Sequence, residues 1–224
     1  MLFGKLRQPG HYAAAAIALV AYAGIGATTA AAGPLPTAAA APFLAASSTP
    51  YLAVGDATRP PIGWVEFCAE YARDCARQTG AARDVVLNTS SWASLNRIND
   101  WVNQAIKPVT DIEHWGTVEK WSYPEDGYGD CEDYVLLKRR MLIEAGWPRS
   151  ALLITVVRDS KGDGHAVLTV RTDKGDLILD NQNDRILPWL ATGYRFVKRQ
   201  SQTDQNVWVS LGDPRPANAT ASAR

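Results

Sequence analysis

The order of apolar and polar positions divides the chain in two. From Trp64 to about Arg77, Trp64, Phe67, Cys68, Tyr71 and Cys75 recur at helical spacing on one side. Thr89, Ser90 and Ser91 offer N-caps to a second helix carrying Leu95, Ile98, Trp101, Val102, Ala105 and Ile106, which Pro108 ends. A loop of about 20 residues then runs to Asp130; loops this long inside a compact domain are usually functional or disordered. Four aromatics in it predict that it packs down. A third helix is predicted from about Asp130 to Ala145, closed by Gly146 and Pro148. After it the period changes. Leu152–Val157 is β-branched and apolar on both faces, His165–Val170 is a second strand, and Leu177–Asp180 a third after the turn Thr172-Asp-Lys-Gly175. Residues 194–198 and 207–209 are weaker strand candidates. Helices first and antiparallel strands afterwards predict an α+β fold, with helices on one side of a meander.

Residues 1–58 lack this patterning. They hold 19 Ala and three charges (Lys5, Arg7 and Asp56), so 43 of the 46 charged groups and all eight Trp belong to the remainder of the 224-residue chain. Lys5 and Arg7 precede an uncharged, Ala-rich run whose most apolar part is Ile17–Ile25, and Ala30-Ala31-Ala32 follows. This is the order of a secretory signal peptide over residues 1–32, with a retained membrane anchor as the competing reading. Residues 33–59 read as a flexible Ala/Pro-rich linker, 60–212 as the folded domain, and 213–224 as a disordered tail. The balance of 23 basic and 23 acidic side chains argues against a nucleic-acid partner, which would need a basic face. Membrane association is expected only if the N-terminal segment is retained. The protein is accordingly expected in the periplasm or secreted.

Export gives the three cysteines meaning, because an oxidising compartment favours pairing and one thiol must be left over. Cys68 and Cys75 are the local pair. On an unbroken helix their Cα atoms would stand about 10 Å apart, beyond the ~7 Å limit for a bridge, so a disulfide requires the helix to break near Ala72–Asp74. Two buried apolar thiols are the alternative. Cys131 stands apart, at the start of the third helix, where free N–H groups favour a thiolate and can hold an oxyanion. Asp130, Glu132 and Asp133 oppose that by raising the thiol pKa, unless a cation compensates. A thiol nucleophile needs a base, and outside the presumed signal only His114 and His165 are available. If Thr172 pairs with Gly175, Asp180 faces Val167 and becomes the diagonal neighbour of His165, ~7–8 Å away between backbones. His114 fits better as a structural residue or as part of a cleft wall.

Several separate motifs carry a family resemblance: Pro61-x-Gly63-Trp64-x-x-Phe67-Cys68, Val102-Asn103-x-x-Ile106, Gly129-Asp130-Cys131-Glu132-Asp133-Tyr134, Lys138-Arg139, Ala145-Gly146-Trp147-Pro148, Gly164-His165-Ala166-Val167-Leu168 and Leu179-Asp180-Asn181. Together they resemble the bacterial transglutaminase-like cysteine proteinases, over nearly all of residues 61–209. The resemblance implies a papain/transglutaminase-like core and a triad of Cys131, His165 and Asp180. It implies an exported cysteine endopeptidase acting on a protein substrate; acyl transfer and a non-catalytic binding module with the same fold are the alternatives. The family includes periplasmic proteases that release surface adhesins, and in some of them acidic residues beside the catalytic Cys bind calcium. That role would fall here to Asp130 and Glu132, with Asp133 a further candidate. The chemistry itself requires no cofactor. One oxyanion donor would be the Cys131 N–H, with the Trp121 indole as a guess for the second.

Overall fold

The computed structural model describes residues 50–212. The signal-peptide assignment to residues 1–32, the first part of the expected linker and the tail at 213–224 lie outside the described residues. Among those described, no helix is long and apolar enough to cross a membrane.

The strands β1 (Ala53–Thr58), β4 (Leu152–Arg158), β5 (Gly164–Thr172), β6 (Gly175–Leu179), β7 (Leu187–Pro188), β8 (Arg195–Gln200) and β9 (Trp208–Gly212) form one antiparallel seven-stranded sheet, in the order β1-β9-β8-β4-β5-β6-β7. The expected α+β arrangement is present. The meander holds only from β4 to β7, because β8 returns to the far side of β4, and β9 and β1 continue outward from it. Both faces of β4 are buried, which is why its sequence does not alternate. Leu152, Ile154 and Val156 face the helices, while Val157 joins Leu52, Val167, Ile178 and Trp189 on the other side.

Strand β1 corrects the expected linker, which was to run to residue 59. Every residue of β1 is exposed, so its sequence shows no strand periodicity; its backbone nonetheless pairs with β9 from Ala53↔Gly212 to Thr58↔Trp208. The strand is held by its ladder rather than by side-chain burial.

Helix α1 (Ile62–Glu70) ends earlier than its periodicity predicts. Tyr71 leaves the helical region at φ −109°, ψ 53°. The turn that follows is pinned from outside, since the Asp74 carbonyl accepts from Arg149 Nη1 (2.6 Å) and Gln205 Nε2 (2.9 Å). This break brings the Cα atoms of Cys68 and Cys75 to 5.5 Å and their sulfurs to 2.00 Å. Gly63 serves a different need. A Cβ there would lie 2.2 Å from the Trp121 ring, so only glycine lets that indole lie against α1.

Helix α2 (Thr89–Ala105) starts one residue after Asn88, whose side chain accepts from the Ser90 and Ser91 amides while Ser91 Oγ returns to the Asn88 N–H, a capping box. The long loop after it is folded down by a short parallel ladder between β2 (Lys107–Pro108) and β3 (Tyr128–Gly129), with α3 (Asp111–His114) between them. Of its aromatics, Trp121 and Tyr123 are buried in the core beside Trp64, Phe67 and Trp208, but Trp115 and Tyr128 stay exposed. Helix α4 (Cys131–Glu144) packs against β5 and α2.

Closing a loop of this length by a covalent bridge removes chain entropy worth about 2.5 kcal/mol. Cys68→Ser/Cys75→Ser should therefore lower the urea unfolding free energy by roughly that amount. Equal midpoints for the two proteins under oxidising conditions would show that these sulfurs are not bridged.

Candidate active site

Helix α4 and strands β5 and β6 bring the three predicted chemical residues together. Cys131 is the first residue of α4, and its sulfur accepts the Ala166 N–H at 3.4 Å, which ties the helix start to the mouth of β5. The β5–β6 ladder runs from Thr172↔Gly175 to Leu168↔Leu179, so Asp180 emerges beside His165, and His165 Nε2 lies 2.8 Å from Asp180 Oδ1. Both side chains are almost fully buried. Tyr194 Oη donates to the other carboxylate oxygen at 2.5 Å, and the Gln182 amide donates to Oδ1 at 2.9 Å. Burial acts to raise the Asp180 carboxyl, but the His165, Tyr194 and Gln182 hydrogen bonds outweigh it and hold the group below its ordinary value. An ionised carboxylate only accepts, so His165 carries its proton on Nε2, and its Nδ1 accepts from the Gln182 side-chain amide at 3.4 Å. Cys131 and His165 share a pocket of about 300 Å³ with Trp121, Glu119, Glu132 and Lys198 on its walls.

The electrostatics around the thiol are unfavourable to a thiolate. Cys131 Sγ donates to Glu132 Oε2 at 3.0 Å, and desolvation followed by the Glu132 charge pushes the thiol well above its usual value. Asp111, Asp130 and Glu132 each place an oxygen within 4.8 Å of the others. Burial, reinforced by neighbouring carboxylates, raises Asp130 to about 8 and Glu132 to about 7. Asp130 Oδ1 is buried without a partner, although Asp130 sits at the N-cap position, where a carboxylate ordinarily accepts from the first turn.

Two expectations change here. Asp133 does not join the carboxylate group: its Oδ1 accepts the Ser122 amide at 2.8 Å, and Asp111 takes its place in the cluster. Trp121 reaches the pocket, but its indole N–H donates to Glu119 at 2.6 Å, so it is not free to bind an oxyanion. His114 bonds to Asp126 at 2.8 Å and stacks on Trp115, a structural placement. Sequence reasoning missed Asp111, Tyr194 and Lys138. Lys138 is buried beneath the site and donates to the Asp180 carbonyl at 2.9 Å, beside a second donor from Asn103. Only the Lys138-Arg139 pair inside an apolar helix hinted at it.

A model of the family described as bacterial transglutaminase-like cysteine proteinase BTLCP matches residues 54–216. The chain belongs to this family. Within it, the chain is similar to three solved structures of Legionella pneumophila LapG. The calcium-bound form is 26% identical, with a TM-score of 0.47 over 55% of this chain and 72% of that one. A second form is 28% identical, with 0.45 over 53% and 68%. The EGTA-treated form is 27% identical, with 0.45 over 55% and 72%. No curated protein sequence matches the chain. Family membership supports a transglutaminase-like cysteine protease.

Burial lowers the Lys138 ammonium from 10.5 to about 7, against raising contributions from Asp180, Asp184 and Asp100. The unfolded chain holds this proton up to its ordinary pKa, whereas the folded chain releases it near 7. Between those values the unfolded state binds more protons, so this group makes stability rise with pH; below 7 its full cost remains. Lys138→Met should therefore compare most favourably with wild type below pH 7, and lose ground steadily from pH 7 to 10 in urea titrations. A difference independent of pH would place the ammonium in water.

Proposed function

We propose that the protein is an exported cysteine endopeptidase that hydrolyses a backbone amide of a protein substrate. Cys131 is the nucleophile, His165 the general base and acid, and Asp180 the group that fixes the imidazole. The observation that carries this reading is the buried His165–Asp180 bond in the wall of the pocket that holds Cys131. With Nε2–H committed to Asp180, Nδ1 is the nitrogen left to take the thiol proton. The sulfur then attacks the carbonyl, and the first-turn N–H of Cys131 faces the developing oxyanion. Protonated His165 gives the proton to the departing amine. Water, deprotonated by the same imidazole, releases the acyl enzyme. An amine in place of that water would give acyl transfer.

Export to the periplasm or medium follows from the Lys5/Arg7 and Ala-rich start and from a close cysteine pair that an oxidising compartment would bridge. By the family resemblance, a surface adhesin is the kind of substrate expected.

Calcium fits Asp111, Asp130 and Glu132. The donors are hard oxygens, they converge, and Asp130 Oδ1 is buried without a partner. A bound cation would supply positive charge that favours the ionised carboxylates and the thiolate. Held by such a cation, the Glu132 carboxylate would be a weaker acceptor for the Cys131 thiol proton it now takes.

Two experiments test these roles. Cys131→Ala should abolish cleavage, and His165→Ala should lower it about a thousandfold or more while leaving the fold intact. Alkylation of Cys131 at the same rate and pH profile in wild type and His165→Ala would leave a binding module as the reading. For the cation, carboxyls raised toward 7–8 bind more protons when folded than unfolded from about pH 4 to 8. Melting temperature in chelator should thus fall as pH rises through that window, and millimolar calcium should cancel the fall in wild type; Asp130→Asn/Glu132→Gln, which lacks both groups, should show a shallower fall that calcium leaves unchanged. Melting curves identical with and without calcium at pH 8 would remove calcium from the site.

A further inference from the structure

A concavity next to the pocket is unassigned. It measures about 360 Å³, and its lining includes Arg158, Lys161 and Arg195 together with Asp159. Strand register shows how it relates to Cys131. Val156, on the wall of the Cys131 pocket, and Arg158 are two apart on β4, so their side chains leave the same face. Across the ladder to β8, Val156 pairs with Lys198 and Arg158 with Arg195. Gly164, also on the wall of the Cys131 pocket, pairs with Arg158, and a Cβ on it would lie 3.9 Å from the Arg158 guanidinium. The linings of the two cavities are therefore neighbours on the sheet, and a basic strip of Lys198, Arg158, Arg195 and Lys161 leads away from the nucleophile.

Basic groups outnumber the acidic one in this cavity, Arg158, Lys161 and Arg195 against Asp159. Arg158 and Arg195 are direct cross-strand partners, an arrangement that like charges make unfavourable. None of the ion pairs among the described residues involves Arg158, Lys161 or Arg195. The one carboxylate in the wall, Asp159, is committed to its own turn, accepting the Lys161 and Asp163 amides at 2.8 and 3.0 Å. The Cys131 pocket itself carries Glu119 and Glu132 as well as Lys198. A polypeptide that leaves the pocket along the strip thus passes from a lining with two carboxyl groups to one with three basic groups.

We infer that the Arg158–Lys161–Arg195 cavity is a substrate subsite that binds acidic side chains of the polypeptide on one side of the scissile bond. The inference rests on the peptidase reading above and adds to it a substrate class. At about 3.3 Å per extended residue, the strip is reached about two to four residues from the bond cut. Two guanidinium groups offer a carboxylate paired N–H donors, and their exposure sets a modest, salt-sensitive preference.

The test starts with the full chain acting on a proteome-derived peptide library, whose cut sites are mapped by mass spectrometry. Synthetic peptides built on the sites found would then carry Glu, Gln or Lys at each of the flanking positions. Wild type should cut the best Glu peptide with a kcat/KM about three- to tenfold above its Gln counterpart, on one side of the bond only. Raising the salt should shrink that ratio. Arg158→Gln/Arg195→Gln should bring it to about one, and Arg158→Glu/Arg195→Glu should turn it in favour of Lys. Equal rates on Glu and Gln peptides in wild type, or a ratio unchanged in the Gln double variant, would overturn the subsite and leave the peptidase intact. If wild type cuts no peptide, the peptidase reading falls, and the subsite falls with it.

Discussion

The register of the β5–β6 hairpin sets the chemistry of this molecule. Thr172 faces Gly175 with only Asp173 and Lys174 between them, and the ladder runs without a bulge to Leu168↔Leu179. Gly175 makes the turn feasible at φ +123°, where a Cβ would also meet the Pro50 carbonyl at 2.5 Å. A shift of one residue would turn Asp180 to the opposite face of the sheet and strand the His165 ring without a carboxylate. Thr172 Oγ1 locks the turn by donating to the Gly175 carbonyl and accepting the Lys174 amide. The far end of the hairpin is held independently, by Lys138 and Asn103 on the Asp180 carbonyl and by Tyr194 on its carboxylate. The imidazole–carboxylate pair is fixed by backbone register at one end and side-chain bonds at the other.

Much of this was legible because it is local. The hairpin turn, the helix start at Cys131 and the doubly buried strand β4 announce themselves within a few residues; turn chemistry permits the pairing of Thr172 with Gly175 but leaves a one-residue bulge at Gly175 open, and the ladder decides for the direct pairing. The features that escaped depend on distant segments. Helix α1 keeps its apolar period past Glu70, yet stops there because Arg149 and Gln205 capture the Asp74 carbonyl. Strand β1 has no inward face to reveal it. Asp111 reaches Asp130 and Glu132 only because the β2–β3 ladder, with Val109 N–H on the Gly129 carbonyl, folds the loop back onto the start of α4. No spacing between residues 111 and 130 encodes that approach.

Five residues, from Gly129 to Asp133, carry several tasks at once, and their conflict explains the local electrostatics. Gly129 closes the β3 bridge and leaves room for Asp133, whose Cβ would stand 2.7 Å from any added methyl. Asp133 anchors the Ser122 amide and so fixes the loop that carries Trp121. Asp130 and Glu132 turn toward Asp111 instead of the helix amides, which leaves the first turn of α4 without a side-chain cap. An ordinary helix start would gain roughly 1 kcal/mol from that cap. Here the carboxylates are placed against one another, a stability cost of the sort that persists at functional sites. The same arrangement leaves the helix start without a cap from the Asp130 side chain, next to the sulfur. The thiol is thus held between an electropositive helix end and an electronegative carboxylate group, and the charge state of that group decides which of the two prevails.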